Sequence, residues 1–118
     1  MKQILVDLVD TISARGALLV APDGVLIASH VREGVDLDRL SALGASILVG
    51  LGERLRAAGL KSFTQVEVAA EEGKVILVEA GPTFLLVLLG ARLELGPGSL
   101  EIRSAAHRIG RETTLALS

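Results

Sequence analysis

Several residue types are missing or scarce in this sequence of 118 residues, and each absence excludes a class of chemistry. There is no cysteine, so disulfides, thiolate metal sites and a cysteine nucleophile are excluded. Tyrosine and tryptophan are absent and phenylalanine occurs twice, so the chain lacks the aromatic stacking platforms of single-strand nucleic-acid binders. The net charge is −2, so the chain lacks the excess of basic residues with which proteins bind the phosphates of nucleic acids. We therefore expect no nucleic-acid partner.

An export signal and a long uncharged apolar run are also missing. Asp7 and Asp10 interrupt the N-terminal apolar pattern, which a signal-peptide core would not tolerate. Neither that stretch nor the run from Ala80 to Ala91 reaches the roughly 18 apolar residues that cross a bilayer. The sequence therefore predicts a cytoplasmic protein without membrane insertion, whose core is built from Leu, Val, Ile and Ala.

The apolar periodicity predicts the element order helix, two strands, helix, three strands, helix. The first helix is expected to end near Arg15-Gly16, a hairpin turns at Pro22-Asp23-Gly24, and Ser99 caps the last helix. The long helix between them is expected from about Asp36 to Ala58. We predict one domain, residues 1–118, of the α+β class. It is an α/β sandwich of order α-β-β-α-β-β-β-α, with a five-stranded, largely antiparallel sheet, the long helix on one face and both terminal helices on the other.

The long helix is unusual because the stretch from Leu40 to Gly52 contains three glycines and no charged residue. Stepping at 100° per residue directs one apolar stripe to the sheet: Leu40, Gly44, Ile47, Leu48, Leu51 and Leu55. The side chains of the opposite flank are small and apolar. Its glycine lowers helix stability by about 1 kcal/mol relative to alanine, and a sequence tolerates this loss more readily where small side chains let another backbone come close. We expect this flank to meet its copy in an antiparallel homodimer contact; a simply exposed flank is the alternative.

The predicted dimer interface joins that flank to the strand that follows it. A two-fold axis near Ile47 would set Ala45 against the partner's Val49, with Asp38 and Arg56 paired at each end. In the following strand, Phe63, Gln65 and Glu67 alternate with Thr64, Val66 and Val68, and this strand is expected to pair its open edge with its copy. The predicted interface residues are Asp38, Ala42, Ala45, Ser46, Val49, Gly52, Arg56, Phe63, Gln65 and Glu67.

Two segments carry a resemblance to a known family: "ALLVAPDGVLIAS", from Ala17 to Ser29, and "GERLRAAGLKSFTQVEVAAEEGKVILVEAG", from Gly52 to Gly81. They resemble the roadblock / dynein light chain family, and the resemblance extends over essentially the whole chain. It implies a homodimer or heterodimer with joined sheets and long helices side by side. It also implies a scaffold or regulator of Ras-like small GTPases, and in bacteria the comparison is with the regulator of a gliding-motility and cell-polarity GTPase.

No motif for catalysis, cofactor binding or metal binding is present. Gly73-Lys74 lacks the upstream glycine and the following Ser or Thr of a phosphate-binding loop. His30 and His107 have no ligand spacing. Gly96-Pro97-Gly98 offers backbone N–H groups to an anion, but we interpret it as the turn that starts the last helix. We therefore expect no catalytic, cofactor-binding or metal-binding residues, and no cofactor.

Charged residues near the end of the long helix suggest a contact with a GTPase, namely Glu53, Arg54 and Arg56. An arginine there would act as a finger on the partner's phosphate, and a solvated helix end stabilised by the helix dipole is the alternative. We predict a non-enzymatic homodimeric adaptor that binds a Ras-like small GTPase and modulates its nucleotide cycle or localisation. The alternatives are a purely structural scaffold and a small-molecule sensor, which the lack of Trp and Tyr disfavours.

Overall fold

The structure, a computed structural model, describes residues 1–91 and 95–117 and confirms the predicted fold class and element order. Its helices and strands are α1 (Lys2–Ile12), β1 (Gly16–Val20), β2 (Leu26–Val31), α2 (Leu37–Ser46), α3 (Gly52–Ala57), β3 (Gln65–Ala70), β4 (Gly73–Ala80), β5 (Thr83–Gly90) and α4 (Leu95–Leu117). A π-helical turn, Ile47–Leu51, joins α2 to α3 without a break. We call these three segments together, residues 37–57, the central helix.

The five strands form one antiparallel sheet in the order β2-β1-β5-β4-β3. β1 and β5 lie inside the sheet and are apolar at consecutive positions, as expected for strands covered on both faces. The predicted turn at Pro22-Asp23-Gly24 is confirmed. Gly24 has φ of 89° and donates its N–H to the Ala21 carbonyl at 2.8 Å, while Asp23 Oδ1 accepts from the Val25 N–H.

Helices cover both faces of the sheet and create two separate apolar clusters. On one face α1 and α4 pack side by side through residues such as Leu5, Val9, Ile102 and Ile109. On the other face the central helix packs through Leu40 and Leu48 against Leu18, Leu77 and Leu86, among others. The predicted division, with one long helix on one face and the terminal helices on the other, is therefore confirmed.

Gly44 sets how closely the central helix approaches the sheet. A Cβ atom at this position would lie 2.9 Å from Leu86 Cδ1, which is nearer than van der Waals contact allows. Glycine therefore fits at the centre of the predicted sheet-facing stripe because the strand side chains already fill the space beneath it.

Both terminal helices have bounds that differ from the sequence-based expectation. α1 ends at Ile12, with Ser13 in the left-handed conformation at φ of 56°, instead of near Arg15-Gly16. The reason is that the Arg15 N–H is taken by the Leu88 carbonyl at 2.8 Å, so the chain is already joining the sheet. α4 begins at Leu95, before Ser99, and includes Gly96-Pro97-Gly98 in its first turn, where proline removes no hydrogen bond.

The π-helical turn changes the direction in which later residues of the central helix point. A π turn hydrogen-bonds residues five apart, so each residue there rotates by less than the 100° of an α-helix. If a constant rotation of 100° per residue is assumed through Ile47–Leu51, the predicted directions of the side chains from Gly52 onward are therefore shifted around the helix axis. Within residues 1–91 and 95–117, no helix is long and apolar enough to cross a membrane.

Candidate functional site

The sheet has two outer strands, and only β3 offers a regular edge. β3 pairs with β4 from Gln65 opposite Val78 to Ala70 opposite Gly73, and over these six described pairs the register does not shift. On the other edge the register between β1 and β2 shifts, because Leu19 lies opposite Ala28 while Val20 lies opposite Leu26. Ile27 is thus an extra residue, and such a bulge obstructs pairing with a further strand. β3 is therefore the edge suited to pairing.

A groove runs along β3 on the face that carries the central helix. Its volume is about 380 Å³. We call it the β3 groove, and it is lined by Ser46, Ile47, Gly50, Leu51, Arg54, Val66 and Val68. Val68 is 42% exposed, and a Cβ atom added to Gly50 would meet no described heavy atom within 4 Å. The helix side of this groove is therefore apolar and accessible at its centre.

Most of the predicted interface residues lie at the surface. Asp38, Ala42, Ser46, Val49 and Arg56 are exposed on the central helix, and Gln65 and Glu67 are exposed on β3. Glu67 Oε1 also forms an ion pair with Lys74 Nζ of the neighbouring strand at 2.9 Å. Their participation in a dimer contact stays a prediction.

Two residues of the predicted flank are less exposed than the others. Ala45 is half-buried over the β1–β2 turn, and its Cβ lies 2.6 Å from a Cβ placed on Gly24. Gly52 is buried, but a Cβ atom added to it would meet no described heavy atom within 4 Å. The participation of both residues in a dimer contact stays a prediction. The side of the helix next to the β3 edge carries Ile47, Gly50 and Leu51.

Phe63 also differs from the expectation that it shares a side with Gln65 and Glu67. It precedes β3, is half-buried, and packs on Phe84 with ring centroids 5.4 Å apart. It belongs to the apolar cluster beneath the central helix, so it anchors the entry to β3 within its own chain. The signal in the sequence for this packing is that Phe63 and Phe84 are the two aromatic residues of an otherwise aliphatic chain.

The charged residues proposed for a GTPase contact are exposed and point in different directions. Arg54 lines the β3 groove, while Glu53 and Arg56 are exposed outside it. Among the described residues, none of the three is in an ion pair. They are therefore accessible to a partner at the C-terminal end of the central helix.

The geometry of these surfaces suits contact with another protein. In the described part of the chain, no group of three or more His, Asp or Glu side chains could hold a metal ion. His30 is half-buried on β2 and His107 is exposed on α4. An edge strand beside an apolar groove instead provides main-chain hydrogen-bonding groups and apolar area together, which is what strand addition uses.

The comparison with known families decides what kind of protein this is. Residues 1–90 match the model of the Roadblock/LC7 domain. The chain belongs to the Roadblock/LC7 family. An uncharacterised protein of Methanocaldococcus jannaschii is similar to it, with 33% identity over 108 residues, covering 91% of this chain and 94% of that relative.

Solved structures share the fold of this Roadblock/LC7 chain. MglB of Myxococcus xanthus superimposes with a TM-score of 0.85 at 21% identity, covering 96% of this chain and 94% of that one. An MglB structure with a tetrameric arrangement gives a TM-score of 0.80 at 24% identity, covering 92% of this chain and 84% of that one. The agreement extends to nearly the whole chain, so the two-sided architecture described above is the Roadblock/LC7 fold.

Proposed function

We propose that this Roadblock/LC7 protein is a single-domain, non-enzymatic homodimeric adaptor of the cytoplasm that binds a Ras-like small GTPase. Through that contact it modulates the nucleotide cycle or the localisation of the GTPase, as a regulator of the kind found in gliding motility and cell polarity. The observation that carries the proposal is the regular, unpaired β3 edge beside the apolar β3 groove. The similarity to MglB, one structure of which has a tetrameric arrangement, supports self-association.

The β3 edge and the β3 groove favour a second copy of the chain as their occupant. Two β3 strands related by a two-fold axis run antiparallel, so each presents the same ladder to the other. Such pairing makes one ten-stranded sheet and brings the two central helices side by side. Ile47, Leu51 and Val68 of each copy then leave water together, and Gly50 allows the helices to approach closely.

The outer side of the paired central helices is the surface that we assign to the GTPase. Ala42 and Val49 are exposed there, Val49 to 44%, and the charged residues Asp38, Glu53 and Arg56 surround them. An apolar centre with a polar rim is typical of protein interfaces. The adaptor prefers the GTPase in one nucleotide state if the switch loops of the GTPase, which change conformation with the nucleotide, make more contacts with this surface in that state.

The dimer is tested with Val68→Arg and the matched control Val25→Arg. Val68 lines the β3 groove, whereas Val25 is 60% exposed in the β1–β2 turn outside it. In sedimentation velocity at micromolar concentration, we expect wild type and Val25→Arg to be dimers and Val68→Arg to be a folded monomer. A dimeric Val68→Arg would exclude the β3 groove as the contact, and a monomeric wild type would exclude the homodimer.

Val49→Arg distinguishes the two possible dimer contacts. If the flank predicted from sequence is the contact, this variant is a monomer; if the β3 groove is the contact, it remains a dimer. We expect a dimer that has lost GTPase binding.

The GTPase contact is tested with purified Ras-like GTPases of the source organism, each loaded with GDP or a non-hydrolysable GTP analogue. We expect titration calorimetry to show one of them binding in one nucleotide state about tenfold more tightly than in the other, about 1.4 kcal/mol. Arg54→Ala and Arg56→Ala test the arginine finger, which is rejected if both leave hydrolysis by the partner unchanged. Absence of binding by every such GTPase in both states would reduce the protein to a structural scaffold.

A further inference from the structure

A second groove lies on the opposite layer of the molecule, between α4 and the β4–β5 turn. Its volume is about 570 Å³, and Val78 and Ala106 supply apolar surface. Beside them the turn rests directly on the helix, since a Cβ on Gly81 would lie 2.8 Å from Gly110 Cα. Because neither glycine carries a side chain, the turn and the helix touch through their backbones and the groove opens next to that contact.

One side of this α4 groove carries two arginines with a histidine between them. Arg103, His107 and Arg111 are exposed, line the groove and follow one another at intervals of four residues. Four residues of α-helix rise about 6 Å, so the line is about 12 Å long. Residues 102–111 contain no acid, although the whole chain has a net charge of −2. Among the described residues, neither Arg103 nor Arg111 is in an ion pair.

The chemistry of the α4 groove matches an acidic, extended peptide. In an extended chain, side chains on the same side recur at about 6.6 Å, close to the 6 Å spacing of Arg103, His107 and Arg111. Arginine binds carboxylates through two parallel hydrogen bonds. Among the described lining residues Glu79 alone is acidic, and it lies on β4, whereas both arginines lie on α4.

We propose that the α4 groove binds an extended segment of a partner protein in which acidic residues alternate with small or apolar ones. Carboxylates at positions i and i+4 of the segment contact Arg103 and Arg111, the carboxylate between them faces His107, and the intervening side chains cover Val78 and Ala106. α4 packs on the sheet face opposite the central helix. The groove therefore lies on the layer opposite the central helix, with Arg103 also lining a pocket beside Gln65 and Glu67 of β3, and the adaptor gains a second partner.

The experiment measures fluorescence anisotropy of labelled peptides with the full chain. The probe is Glu-Ser-Glu-Val-Glu-Ser-Glu, compared with the same peptide carrying lysine at each glutamate and with Glu-Glu-Ser-Val-Ser-Glu-Glu. We expect the alternating acidic peptide to bind more tightly than both others. The double variant Arg103→Gln with Arg111→Gln should weaken it at least about tenfold, while circular dichroism shows an unchanged fold.

Arg108→Gln is the matched control. It removes the same charge from the same helix, but Arg108 lines a different groove, beside Asp7 of α1. We expect this variant to bind the probe within about twofold of wild type, since a rim charge outside the contact contributes little.

Several results would overturn the proposal. These are an affinity that the double variant leaves unchanged, an equal loss in Arg108→Gln, equal binding of the lysine peptide, or no binding of the acidic probe at millimolar concentration. A lipid surface replaces the peptide as the occupant if vesicles of phosphatidylserine and phosphatidylcholine co-sediment with the chain through Arg103 and Arg111 and the acidic peptide does not compete. None of these results bears on the dimer or on the GTPase.

Discussion

At the scale of single residues, a buried hydroxyl holds the β4–β5 turn. Thr83 is 6% exposed, and its Oγ1 donates a hydrogen bond to the Ala80 carbonyl at 2.8 Å. Gly81 between them has φ of 63°, a conformation that residues with a Cβ rarely adopt. The same turn forms one wall of the α4 groove, so the hydrogen bond also keeps that groove in shape.

We expect Thr83→Val to lower the free energy of unfolding by about 1 kcal/mol, because the Ala80 carbonyl loses a buried partner while the side-chain volume hardly changes. Urea denaturation followed by circular dichroism measures the change. Thr113→Val is the control, since Thr113 Oγ1 donates at 2.7 Å to the carbonyl of Ile109 in the same helix. Such a bond back to a helical carbonyl contributes little. Equal losses in both variants would contradict this view of the turn.

At the scale of elements, the central helix is an assembly of three parts with different tasks. α2 packs Leu40 and Gly44 on the sheet, the π-helical turn brings Gly50 to the β3 groove, and α3 carries the charged end. π turns of this kind are frequent at functional sites. The helix begins at a defined cap, because Asp36 Oδ1 accepts the Arg39 N–H at 3.1 Å.

We expect Asp36→Ala to destabilise the protein by about 1 kcal/mol, since a first-turn N–H loses its acceptor. Asp36→Asn keeps an acceptor oxygen and should unfold within a few tenths of a kcal/mol of wild type. Asp36 Oδ2 also lies 3.4 Å from Arg39 Nε, but both side chains are exposed and such pairs contribute little. If Asp36→Asn is as unstable as Asp36→Ala in urea, the ion pair matters more than the cap.

At the scale of the whole molecule, the two sides of the sheet present two different surfaces. The side with the central helix has the β3 groove, and the side with α1 and α4 has the cationic α4 groove. The first is apolar and continuous with a sheet edge, which suits a copy of the chain. The second is charged and lies on the opposite layer of the sheet, which suits a different partner.

We expect the melting temperature of the wild-type protein to rise with protein concentration, because unfolding of a dimer releases two chains. Roughly 1.4 kcal/mol per tenfold increase corresponds to a shift of about a few degrees. Calorimetry or circular dichroism is the suitable method, since the chain has no Trp or Tyr. Val68→Arg should melt at a temperature independent of concentration. A wild-type melting temperature that does not change with concentration would contradict the dimer.

Local patterns were sufficient for much of this fold. The turn at Pro22-Asp23-Gly24 follows from residues that adopt turn conformations, and the apolar runs of β4 and β5 indicate strands covered on both faces. Leu40, Gly44 and Leu48 were correctly assigned to the sheet-facing side. These features depend on neighbours along the chain, so the sequence contains the information directly.

The candidate site was predicted only in outline. The long helix and the strand after it were predicted as the contact region, but the half-buried position of Ala45 over the β1–β2 turn was not predicted, and Ile47, Gly50 and Leu51 were not placed beside the β3 edge. A prediction that assumes the same rotation for every residue of a helix does not include the different rotation of a π-helical turn. Likewise, the spacing of Arg103 and Arg111 along α4 is visible in the sequence, but the groove beside them depends on a contact between Gly81 and Gly110.

The amino-acid sequence by itself determined the element order, the two-sided covering of the sheet and the family, because each is expressed in periodicity and turn residues over short distances. Only the tertiary structure decided which edge is regular, which side of the central helix faces it, and where the grooves lie. Those properties arise from the register and spacing between elements that are distant along the chain.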